Sequence, residues 1–129
     1  MVAVIQPLLS AQPPEVPQRA GLGDRFHYFR GASGRRYLFS VVPNDTLADF
    51  RAAVVITARR TIGGKLAAEE IVMLDVFGRP AVRDRRRVWA PPGSDTVVLV
   101  HLLAETEAER RDLIADLSPA TTAPLNLAA

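Results

Sequence analysis

Cysteine is absent from this 129-residue chain, which excludes disulfides, thiolate metal sites and cysteine nucleophiles together. Histidine is nearly absent. With only His27 and His101, a histidine-rich metal centre cannot be assembled. No apolar run reaches the ~18 residues that a membrane-spanning helix needs, so no membrane association is expected. The N-terminus, Met1-Val-Ala-Val-Ile-Gln-Pro7, lacks a basic segment, and Pro7 ends its short apolar stretch. No signal peptide is read there, and a cytoplasmic location is expected. Lysine is scarce too: Lys65 stands against fifteen arginines. Nothing in these residues points to a cofactor, a metal site or a catalytic set, and none is expected.

What is present fits one ordinary globular domain. The apolar fraction is 48% and the charged fraction 23%. The charge is unevenly placed, although the chain as a whole carries only +2. Residues 19–87 hold thirteen Arg and Lys65 against seven acids, a local excess of +7, whereas residues 104–117 hold five acids and two Arg, a local −3. A basic middle and an acidic last helix suit an anionic partner, DNA or RNA without sequence preference. They equally suit two faces that neutralise each other inside one molecule. The candidate phosphate contacts are Arg35, Arg36, Arg59, Arg60, Arg83, Arg85, Arg86 and Arg87, because a guanidinium can grip a phosphate through two parallel hydrogen bonds.

Pro7, Pro13, Pro14 and Pro17 mark residues 1–22 as a flexible tail, with Gly21-Leu-Gly23 as the hinge into a single domain over 23–127. Phe26–Arg30 and Arg35–Phe39 flank Gly31-Ala-Ser-Gly34 and predict a hairpin over 25–42. Pairing Arg30 with Arg35 sets Tyr28 opposite Tyr37 and Phe26 opposite Phe39, so four aromatics share one face and His27, Phe29 and Leu38 the other. Continuous apolar runs predict interior strands over 52–58, 70–76 and 96–103. Lys65–Glu70 is ambiguous between helix and strand, and Phe77-Gly-Arg-Pro80 reads as a break. Thr106-Glu-Ala-Glu109 fits a capping box opening a helix over 107–117 that buries Leu113, Ile114 and Leu117 before Ser118-Pro119 stops it. The expected fold is α+β: a small antiparallel or mixed three-stranded sheet in core 50–127, that helix packed on it, and the aromatic hairpin preceding it.

Gly93-Ser-Asp-Thr-Val-Val-Leu-Val-His101, Glu109-Arg-Arg111, Asp116-Leu117 and Pro124-Leu-Asn126 occur in an order that resembles the C-terminal half of small GIY-YIG nuclease-like proteins. Gly34-Arg-Arg-Tyr37 is similar to the Gly-x-x-Tyr element that some members place ahead of their first strand. The resemblance implies a tyrosine that helps deprotonate water, an arginine that stabilises phosphate charge, and a glutamate that holds a divalent cation. Its tyrosine positions fall on Val55 and Val72 and its glutamate on Ile114, while Leu74 stands where the family has glycine. Only Arg83 or Arg86 matches the arginine. Isoleucine supplies no oxygen to a hard cation, and without one a phosphodiester lacks both its charge neutraliser and its water activator. What the resemblance implies is a degenerate, non-catalytic binding module. A protein-interaction or assembly subunit is the alternative, and a nuclease using a displaced carboxylate such as Glu109 or Asp112 is the second.

Two features carry competing readings. The aromatic hairpin is either a wall of the core or a stacking platform for bases. His101 lies in an apolar strand with no second titratable group tied to it by spacing. It reads as a satisfied core histidine, against the alternative of a general base.

Overall fold

β-Branched runs and turn residues alternate along the chain, and the computed structural model resolves them as strands. It describes residues 10–11, 25–63 and 65–121. The stretch 1–22 other than Ser10 and Ala11, the whole of the hinge, Gly64 and the Pro124-Leu-Asn126 ending lie outside the described residues. The strands are β1 (Ser10–Ala11), β2 (Phe26–Arg30), β3 (Arg36–Val42), β4 (Ala53–Arg60), β5 (Leu66–Leu74), β6 (Pro80–Arg85) and β7 (Thr96–His101). A 3₁₀ helix, Asn44–Asp49, links β3 to β4, and helix α1 (Glu107–Thr121) follows β7. All strands pair antiparallel in one sheet of order β1-β2-β3-β7-β4-β5-β6.

The expected three-stranded sheet is therefore corrected to six full strands and a two-residue edge strand, still of α+β kind. Two segments make the difference. The hairpin does not stand apart, because β3 continues into Ser40-Val-Val42 and pairs there with β7, Val42 against Val98. The supposed break at Phe77–Pro80 is a tight turn with Gly78 at φ 80°, and it leads into β6. Pro80 is the first residue of that edge strand, where a missing N–H costs the sheet little. The ambiguous Lys65–Glu70 segment joins β5 from Leu66 onward. Pro119 does not stop the helix, which runs on to Thr121.

The hairpin register also differs from the sequence expectation by one residue. Arg30 faces Arg36, so Phe29 faces Tyr37, His27 faces Phe39 and Tyr28 faces Leu38. The loop has five residues: Gly31 N–H donates to Arg35 O (2.8 Å), and Gly34 takes a left-handed φ of 92°. A one-residue slip exchanges the faces of a strand. The face turned toward the helix carries Phe29, Tyr37 and Phe39, and the outer face carries Phe26, Tyr28, Arg30, Arg36 and Leu38. Phe29 and Phe39 are fully buried and meet edge to face with ring centroids 5.5 Å apart.

Helix α1 lies against the inner face, where Leu113, Ile114 and Leu117 join Phe29, Phe39, Val54, Ile56, Ile71, Met73 and Leu99. Its first turn forms the capping box, Glu109 N–H to Thr106 Oγ1 (3.1 Å) and Thr106 N–H to Glu109 Oε1 (3.0 Å). The outer face has a second cluster of Ala53, Val55, Val72, Leu74, Val98 and Val100 beneath Val42 and Phe50. The sheet is strongly curled. Asp116 bonds the β2–β3 loop, and Ser118 Oγ, two residues on, donates to Asp84 of β6 at 2.6 Å. In sheet order β2 and β6 are five steps apart, roughly 24 Å if flat at about 4.8 Å per step. A helix only about 10–12 Å wide reaches both, so the strands wrap around it.

Ile114→Ala is expected to destabilise the domain by about 2–5 kcal/mol in urea unfolding, as a truncation in the core. An unchanged unfolding midpoint would show that this helix face is not the packed one.

Candidate functional site on the β2–β3 hairpin

Asp116 joins the helix to the hairpin. Its Oδ1 accepts from Ser33 N–H (2.8 Å), its Oδ2 accepts from Ser33 Oγ and Tyr37 Oη (2.7 Å each), and its carbonyl accepts from Ala32 N–H (2.8 Å). Gly31 is buried beneath it, and a Cβ there would overlap the Asp116 carboxylate. Burial acts to raise the Asp116 pKa. The hydrogen bonds from Ser33 and Tyr37, with the charge of Arg35, outweigh it and hold the carboxyl below its ordinary value. Burial and the Asp116 bond together raise the Tyr37 phenol, so the proton stays on Tyr37 and is donated.

Beside this junction a cleft of about 230 Å³ opens between β3, the end of β7 and the start of α1. Arg35, Tyr37, His101, Leu103, Asp112 and Leu113 line it, with Ala104 and Glu109. His101 is 6% exposed, and its Nδ1–H donates to Leu38 O at 2.7 Å. Burial lowers its pKa from the ordinary 6.5 against the opposing effect of the Leu38 carbonyl, so the ring is neutral at pH 7. The core-histidine reading describes only half of this residue: Nε2 has no protein partner among the described residues.

The structure does not gather the eight arginines of the sequence reading onto one face. Arg59 Nη1 meets Glu69 at 3.8 Å, and Glu70 takes both Arg83 (3.3 Å) and Arg85 (3.0 Å). Arg86, its side chain 8% exposed, bonds Asp84 at 2.7 Å and the Ser118 carbonyl at 3.4 Å. Four of the eight are thus answered within the fold, and Arg85 and Arg86 point to opposite sides of β6. Arg60 ends β4 and exposed Arg87 follows β6. Arg35 and Arg36 belong to the hairpin at the other end of the sheet, where Arg35 turns toward the cleft and Arg36 outward.

Arg30 is the arginine that sequence reasoning missed. It stands directly opposite Arg36 in the ladder, both are exposed, and neither has a carboxylate partner among the described residues. Half-buried Phe26, Tyr28 and Leu38 continue the same face. The signal was in the sequence, but reading it required a five-residue loop where four residues were assumed.

Positions that the GIY-YIG resemblance would bring into one site fall on both faces of the sheet. Val55 and Val72 are cross-strand partners in the outer cluster, and Ile114 is buried against the inner face. No family model matches the chain, and no curated protein or solved structure matches it. The resemblance rests on sequence pattern alone.

Replacing Asp116 by Asn is expected to cost roughly 2 kcal/mol, the scale of one or two charge-assisted hydrogen bonds discounted for partial exposure. The pH dependence follows from the sign of the shift. A carboxyl whose pKa is depressed on folding contributes stability that is present above its ordinary value of 3.8 and lost as pH falls through the lower folded value. Acid titration of unfolding should show this loss in the wild type, and its absence in Asp116→Asn. Parallel acid curves for the two proteins would refute the assignment.

Proposed function

We propose that this domain is a non-catalytic binding module for single-stranded nucleic acid, and that the outer face of the β2–β3 hairpin is its contact surface. The observation that carries the reading is the Arg30–Arg36 pair. Like charges directly opposite on neighbouring strands oppose pairing, and they sit only about 4.5–5.5 Å apart at Cβ. A phosphate between the two guanidiniums turns that repulsion into paired charge-assisted bonds. Tyr28 and Phe26 lie on the same face, two and four positions back from Arg30, where base rings can stack. The partner is read as single-stranded because stacking needs bases that are not already paired.

The displaced-carboxylate nuclease is the weaker reading on geometric grounds. Glu109 is engaged by Thr106 and the Glu105 N–H in the helix cap, and among the described residues Asp112 is not part of any cluster of three His, Asp or Glu side chains that could hold a metal ion. A carboxylate introduced at Ile114 would enter the apolar core, 5% exposed. One observation favours a protein partner as a second reading. Exposed Val76, Phe77, Leu102 and Leu103 follow β5 and β7 at the same end of the sheet. In that case sedimentation would show concentration-dependent association that Phe77→Ser weakens.

Binding of a single-stranded oligonucleotide is expected to weaken linearly on a log–log salt plot. Arg30→Ala with Arg36→Ala should reduce that slope by about 1.4 units, from roughly 0.7 for each phosphate released on a single strand. The melting temperature should hold or rise, since a like-charge pair is removed. Arg83→Ala with Arg85→Ala, taken from a pair already answered by Glu70, should leave the slope nearly unchanged. If the second double variant loses the slope and the first does not, the contact surface is β6 and the proposal fails. Pure protein with Mg²⁺ and supercoiled plasmid is expected to give no nicking. Nicking that copurifies with the protein would instead establish a nuclease.

A further inference from the structure

We propose that the cleft between β3, the end of β7 and the start of α1 binds a compact organic amine. Its ammonium would donate to His101 Nε2 and be balanced by Asp112, with its apolar body against Leu103, Ala104 and Leu113. The site lies on the helix side of the hairpin, away from the outward Arg30 and Arg36, and does not depend on the nucleic-acid reading.

The acceptor comes first. His101 is 94% buried by the complement of its 6% exposure, and its Nδ1–H is committed to Leu38 O at 2.7 Å. The ring is fixed by that bond and by contacts with Tyr37 and Phe39, with centroids 6.2 and 5.3 Å away. A neutral imidazole that donates through one nitrogen presents a lone pair on the other. Here that second nitrogen has no partner among the described residues, and the residue forms part of a cleft wall. A ligand group placed there must be a hydrogen-bond donor.

The charge comes second. Arg35 stands at the rim, where its charge acts on Tyr37 and Asp116 and helps to hold the Asp116 carboxyl low. Glu109 is answered by the Thr106 and Glu105 N–H groups and by Arg110. Asp112 is exposed and has no hydrogen bond or ion pair among the described residues. What remains unanswered is one carboxylate and one lone pair, and both call for a cationic donor. An anion would meet the Asp112 carboxylate and a neutral imidazole whose free nitrogen accepts and cannot donate.

Size comes third. A volume of about 230 Å³ lies just below the roughly 300–1,000 Å³ of pockets for drug-sized ligands, which suits a compact molecule. Leu103, Ala104 and Leu113 supply an apolar wall of the kind that orients such a body, with few polar groups fixing one end.

The probes are 2-phenylethylamine, 2-phenylethanol and phenylacetate, titrated into the intact protein with the His101 ring and the amides of Leu103, Ala104 and Leu113 observed by NMR. The amine should shift these signals saturably in the millimolar range, with the alcohol about tenfold weaker and the acid weaker still. Asp112→Asn, an exposed change that leaves the fold intact, should weaken the amine about tenfold, with no effect on oligonucleotide salt dependence. Amine affinity should also fall as pH drops through the lowered His101 pKa, beneath the ordinary imidazole value, since an imidazolium repels the ammonium. The groups facing His101 are Arg35 from the hairpin loop, Tyr37 from β3, and Glu109 and Asp112 from α1, with Asp116 behind Tyr37. Persistence of the pH effect in Asp112→Asn assigns it to His101. Equal binding of amine and phenylacetate, unchanged amine affinity in Asp112→Asn, or no saturable shift at these residues would each overturn the proposal.

Discussion

The shape of this molecule depends on one carboxylate. Asp116 accepts hydrogen bonds from two hydroxyls and one backbone N–H of the hairpin, and its own carbonyl accepts from another N–H. All come from residues more than seventy positions away in the chain, so the contacts act only once the sheet has closed around α1. Two residues later Ser118 binds Asp84 of β6, and the helix becomes a strut between strands far apart in the sheet order. Gly31 is the counterpart on the hairpin side, since no other residue leaves room for the Asp116 side chain. The same junction places Tyr37 and Arg35 at the mouth of the cleft and sends Arg36 to the outside.

Part of the charge in this fold is settled internally. Arg59, Arg83, Arg85 and Arg86 meet Glu69, Glu70 and Asp84 on neighbouring strand positions. A bulge at Glu69 of β5, where Thr57 pairs with Glu70 and Ala58 with Ala68, turns both glutamates to the outer face, within reach of Arg59, Arg83 and Arg85. These partly exposed pairs contribute little to stability individually. Their larger effect is to engage the β6 arginines Arg83 and Arg85 within the sheet, whereas Arg30 and Arg36 face each other with no carboxylate partner among the described residues. Arg86 differs, being buried between Asp84 and the end of α1, where it serves packing.

Much of the local structure was legible in the sequence, and the reasons are local ones. The capping box, the buried stripe Leu113, Ile114 and Leu117, and the three apolar strands follow from spacing within short windows. The errors came where distant segments decide. Pro80 and Phe77-Gly78 look like a break until β5 offers an edge on which a proline can begin a strand. The hairpin register turned on whether Arg35 belongs to the loop, and Gly34 with Asp116 settles that from the far end of the chain. Net charge along the sequence suggested a patch of eight arginines, but Glu69 and Glu70 neutralise three of them only because of strand register. Arg30 and the free face of His101 were invisible for the same reason.

The central claim is that unanswered charge on the outer hairpin face selects a single-stranded polyanion. Mapping amide chemical shifts during titration with a short single-stranded oligonucleotide tests it most directly. The account predicts changes concentrated at Phe26, Tyr28, Arg30, Arg36 and Leu38, with β6 and the cleft unperturbed. Changes centred on Arg83 to Arg87, or no change on the hairpin while the oligonucleotide binds, would contradict it.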